Sequence, residues 1–123
     1  MNSARILFFG LTAIYLVAVL VQFFLAGLAT FGSTDWDPHA GLGFVITIAS
    51  LALLILALVG RLPRRVVLVT LLLVGLNALQ LVLPHIDIAE LAALHPVNAV
   101  AIVFVAYALV QRARIYLASK IAA

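Results

Sequence analysis

The chain has 123 residues, 67% of them hydrophobic and only 9% charged, with a mean hydropathy of +1.35. Soluble globular domains are roughly 45–50% apolar, so this composition excludes a soluble fold and points to a protein of the lipid bilayer. The formal charge of +3 does not signal nucleic acid, because the basic residues sit between apolar runs rather than in a patch. Cysteine is absent, which excludes disulfides and thiolate metal sites.

A helix needs ~20 residues to cross the hydrocarbon core, so the chain accommodates about four spans and no soluble domain. The first apolar run, Ile6 to Ala29, is interrupted by Thr12, Tyr15 and Gln22. It is longer than the ~7–15 residues of a signal-peptide core and predicts a first transmembrane helix over about residues 5–30. A polar loop follows with Asp35, Trp36 and Asp37, the indole suited to the headgroup level. Pro38 then fits the first turn of a second helix over about residues 39–60, where its missing N–H costs little. A basic turn, Arg61-Leu62-Pro63-Arg64-Arg65, leads into a third helix over about residues 65–84, which Pro84 ends or kinks. His85 to Leu94 carries Asp87 and Glu90 among apolar residues and suits a short interfacial helix, before a fourth span over about residues 95–118. The fold class expected is all-α: one four-helix transmembrane bundle made of two similar hairpins.

Charge sets the orientation. Arg5, Arg61, Arg64, Arg65, Arg112, Arg114 and Lys120 all fall at the two ends of the chain or in the middle turn. Asp35, Asp37, Asp87, Glu90 and the three histidines fall in or beside the two other loops. The positive-inside rule then puts both termini in the cytoplasm and the histidines at the outer face.

The hairpins repeat one pattern. Gln22 precedes His39 by 17 residues and Gln80 precedes His95 by 15, each glutamine near the end of one span and each histidine at the start of the next. His39 shares a helix face with Leu42, Gly43, Ile46 and Ser50, and His95 shares one with Asn98, Ala99, Ile102 and Ala106. The residue four beyond each histidine is therefore small. Such a gap suits a flat ring ligated by imidazole, and two histidines on facing helices are one way to hold haem iron in a bundle. Small residues equally let membrane helices pack closely with no ligand present. Gln22 and Gln80 are candidates for interhelical hydrogen bonds or for orienting the histidines.

His39 and His95, with Gln22-Phe23-Phe24-Leu25-Ala26-Gly27-Leu28 before the first and Trp36-Asp37-Pro38 in the loop, carry a resemblance. Each hairpin resembles a half-bundle of haem A synthase and similar four-helix membrane b-type cytochromes. The resemblance implies haem b ligated by His39 and His95 near the outer face. Gly43 and Ala99 would make room for the ring, Gln22 and Gln80 would support it, and electrons would pass to or from a quinol-type carrier. That family joins two four-helix halves and usually has loop cysteines and a membrane-embedded glutamate, all missing here, so synthase activity is not implied. The chain is also similar to small four-span bacterial membrane proteins, which places it in the plasma (inner) membrane and suggests no chemistry.

Other readings stay open. Haem propionates usually seek Arg or Lys, and the outer loops carry acids instead. Three histidines, His39, His85 and His95, with four carboxylates near one mouth suit zinc or copper. A non-enzymatic accessory subunit, a small-molecule binder, an oligomer or a part of a larger membrane complex is equally compatible with the residues. No ionisable group is expected at mid-membrane depth, which argues against a proton-driven pump.

Overall fold

The computed structural model describes residues 3–121, with side chains as far as Tyr116; Met1, Asn2 and the side chain of Lys120 lie outside the described residues. Five helices follow in order: α1 (Ser3–Thr30), α2 (Asp37–Val59), α3 (Arg64–Val82), the one-turn α4 (Ala89–Ala92) and α5 (Leu94–Ile121). A 3₁₀ turn, Leu83–His85, closes α3 at Pro84. Among the described residues there is no strand. Four helical spans are long and apolar enough to cross a bilayer. No more than 28% of the most apolar window of any span is buried inside the protein. The remaining apolar surface faces outward, as lipid-solvated helices require.

The helices pack as a ring, α1 on α2, α2 on α3, α3 on α5 and α5 back on α1. Lipid tails are as apolar as leucine, so helix association here depends on close van der Waals packing rather than on expulsion of water. The inner positions reflect this, with small residues (Ser50, Ala57, Ala106) fully buried beside Phe8, Leu53, Leu73 and Leu109. Thr12, Thr47, Ser50 and Thr70 donate their hydroxyls to carbonyls three or four residues back on their own helices. That pairing lets a hydroxyl enter an apolar interior without a partner helix.

The chain leaves α1 and α2 in the same way. After α1, Ser33 N–H bonds the Leu28 carbonyl and Gly32 N–H the Ala29 carbonyl; after α2, Leu62 N–H bonds the Ala57 carbonyl and Arg61 N–H the Leu58 carbonyl. Both are Schellman caps whose C′ residue is left-handed, at φ 74° for Gly32 and 48° for Arg61. Between the hairpins, Arg5 closes the end that carries the basic residues. Its Nε donates to the Gly60 carbonyl at 2.7 Å, one Nη to the Arg61 carbonyl at 3.2 Å, and the other to the Tyr116 hydroxyl. The two chain ends and the 60–63 turn thus share one end of the bundle, and the histidines lie at the other.

Candidate functional site

At the histidine end the four long helices line a partly open cavity of about 740 Å³. Its walls are mainly apolar, with Val19, Ile46, Leu81 and Ile102 among them, and its polar lining includes Gln22, His39, Asn77, Gln80, His85 and His95. The volume lies in the range of cavities that hold a cofactor or drug-sized ligand. Gly43 and Ala99 line it as well.

The chain positions the two imidazoles by the same device in each hairpin. Pro38 lies in the first turn of α2 and the Asp35 carboxylate accepts from Asp37 N–H at 3.1 Å, so His39 enters the helix within its first turn. Trp36 then stands edge-on to the His39 ring, 5.6 Å between centroids. His39 Nδ1 lies 3.2 Å from the backbone carbonyl of Gln22, and His95 Nδ1 lies 3.2 Å from the backbone carbonyl of Gln80. Each carbonyl only accepts, so each Nδ1 carries the proton and each Nε2 keeps a lone pair. The rings face each other across the bundle with centroids 6.2 Å apart and planes 64° apart.

Beyond this the halves differ. The Gln22 amide donates to the His39 carbonyl at 3.0 Å. It reaches there because Gly43 has no Cβ: one built at that position would stand 2.8 Å from Gln22 Nε2. The gap the sequence offers at Gly43 is thus filled by the Gln22 amide. Gln22 Oε1 is buried without a partner, and His39 Nε2 makes no hydrogen bond among the described residues. In the second hairpin the Gln80 amide lies 3.1 Å from His95 Nε2, and Gln80 Oε1 accepts from Asn98 at 2.6 Å. Asn98 is itself oriented by the Leu76 carbonyl at 2.9 Å.

His85 is exposed on the 3₁₀ turn and touches the cavity, but it does not complete a metal centre: among the described residues no group of three or more His, Asp or Glu side chains is close enough to hold an ion. Spacing pairs each histidine with a glutamine; it gives no sign that the glutamine's backbone carbonyl holds Nδ1 in both hairpins. Asn98 was legible as a face-mate of His95, three residues on. Asn77 lines the cavity and donates to the buried Tyr15 hydroxyl at 2.7 Å, a pairing that no spacing in the sequence marks.

Residues 22–86, more than half of the chain, match DUF6220, a family of unknown function. The chain belongs to this family. The match begins at Gln22 and takes in His39, Gly43, Gln80 and His85, so the first half of the site and one glutamine of the second lie within it; His95 and Asn98 lie beyond. No curated protein and no solved structure matches the chain.

Proposed function

We propose that this DUF6220 member is a small b-type membrane cytochrome with His39 and His95 as axial ligands of one haem. The observation that carries the reading is the pair of facing imidazoles, each with Nδ1–H held by a backbone carbonyl and Nε2 left as the donor atom. Metal-ligating histidines are commonly fixed in this way through the other ring nitrogen. Imidazole nitrogens bind first-row metals at ~2.0–2.1 Å, and the two rings, 6.2 Å apart between centroids, are close enough that both would hold one ion. Two protein ligands are too few for zinc, which takes four, but they suffice when the remaining ligands come with the cofactor. Copper(I) favours thiolate and thioether ligands, and the chain has no cysteine and one methionine.

Haem b, when bound, supplies one-electron oxidation and reduction. The residues of the chain do the rest: the two backbone carbonyls hold each ring by its Nδ1–H and fix its orientation, and the cavity wall is mainly apolar. Trp36 brings an indole to the loop edge of the cavity, where the Thr30 hydroxyl is bonded to the Ala26 carbonyl. A quinol-type carrier in the bilayer is the natural electron partner, with both termini in the cytoplasm of a plasma membrane and the site near the outer face. The test is an absorbance spectrum of detergent-purified protein, oxidised and then reduced with dithionite. A Soret band that sharpens with split visible bands is expected, and it should disappear in both His39→Ala and His95→Ala. Retention of the low-spin spectrum in both variants overturns the ligand assignment.

One observation favours a second reading. Gln22 Oε1 and His39 Nε2 are both acceptors without a protein donor, which suits a small molecule carrying hydroxyls, such as a hydroquinone headgroup, in place of haem. A flat spectrum after haem supplementation, together with saturable binding of a short-chain hydroquinone, selects that reading.

A further inference from the structure

We infer that the two histidines are inequivalent by construction: His39 offers an open ligand to incoming haem, whereas Gln80, locked by Asn98, caps His95 and must turn away before that ring can bind. This rests on the haem reading above and adds an order of binding to it.

The network itself assigns the protons. The Leu76 carbonyl can only accept, so the atom of Asn98 that faces it at 2.9 Å is the NH₂ group. The same NH₂ meets Gln80 at 2.6 Å, so that side of the Gln80 amide is oxygen. The other side is then nitrogen, and it points at His95 Nε2 from 3.1 Å. An amide N–H there requires a lone pair on Nε2, which agrees with the proton on Nδ1 facing the Gln80 carbonyl. The chain of donors thus ends on the atom that would bind iron. Asn98 is only 7% exposed, so its hold on Gln80 is sheltered from competing water.

In the first hairpin the equivalent glutamine does something else. Four residues beyond His39 stands Gly43, whose missing Cβ lets the Gln22 amide lie against α2 and bond the His39 carbonyl. Four residues beyond His95 stands Ala99. There the Gln80 amide meets the ring instead of the helix backbone. If haem were to bind, His95 would give up the Gln80 hydrogen bond at Nε2 and keep Nδ1–H on the Gln80 carbonyl.

The experiment is stopped-flow absorbance of haem added to protein purified without it, following first association and then conversion to the low-spin form. Gln80→Leu keeps the backbone carbonyl and leaves Asn98 bonded to Leu76. It should speed the low-spin step about fivefold, as loss of a neutral hydrogen bond of ~1 kcal/mol implies. Gly43→Ala should slow association by about the same factor, by pushing the Gln22 amide toward His39 Nε2. Unchanged rates in both Gln80→Leu and Gly43→Ala overturn the inference. A second readout needs no haem: ¹⁵N spectra of histidine-labelled protein should show different Nε2 environments for His39 and His95, made alike by Gln80→Leu. Identical Nε2 signals in the wild type overturn the cap itself. Failure of every variant and of the wild type to give a low-spin form overturns the haem reading and the binding order with it, while the ¹⁵N difference still decides the cap.

Discussion

Asn77 NH₂ donates to both the Tyr15 hydroxyl and the Leu73 carbonyl, each at 2.7 Å, with Asn77 2% and Tyr15 1% exposed. Only the first of these bonds joins two helices. Its loss should therefore depend on which partner is removed. Tyr15→Phe leaves Asn77 bonded to its own helix and should cost about 0.6–1 kcal/mol, the range of interhelical hydrogen bonds in membranes. Asn77→Ala strands a buried phenol and opens space beside the cavity, and should cost roughly 2 kcal/mol. Unfolding in mixed micelles of increasing SDS measures both; equal costs would show that the Tyr15–Asn77 bond, and not the stranded hydroxyl, sets the loss. The same asymmetry governs the site, where Gln22 and Gln80 are identical side chains and the residues around them, Gly43 and Asn98, decide where each amide goes.

Between elements, the two Schellman caps offer a paired comparison. Gly32 adopts φ 74° without a Cβ, whereas Arg61 adopts φ 48° with one. A left-handed backbone costs a residue with a Cβ roughly 1–2 kcal/mol, so substitutions at the two equivalent positions should act in opposite directions. Gly32→Ala should destabilise by ~1 kcal/mol and Arg61→Gly should stabilise by about the same amount, reduced a little by the extra freedom of glycine in the unfolded chain. Denaturation midpoints of the two variants check this, and shifts of the same sign would mean that the turn conformations are not those described. The Arg61 carbonyl, which accepts from Arg5, is retained in both.

Over the whole molecule, the described arginines cluster at one end of the bundle and the acids at the other, with Arg5 holding the 60–61 turn and Tyr116 together. A positively charged loop resists transfer across the membrane, so the basic end should stay in the cytoplasm. A protease-cleavable tag on the carboxyl terminus should therefore be protected in intact cells and cut in inverted vesicles; cutting in intact cells would reverse the orientation and move the histidine site to the cytoplasmic face.

Composition and the lengths of the apolar runs determined the four long helices and the all-α fold, because in a bilayer a spanning backbone without strand partners satisfies its own hydrogen bonds only as helix. The hairpin repeat was legible too, since Gln and His recur at nearly equal spacing at the ends of the runs. Tertiary structure alone decided that the two rings meet at 6.2 Å, that backbone carbonyls hold their Nδ1 atoms, and that only His95 is capped. Carbonyls are present at every residue and so leave no mark in a sequence. Which one an imidazole finds depends on the rotation and depth of two packed helices, and where the Gln22 amide goes depends on the missing Cβ at Gly43.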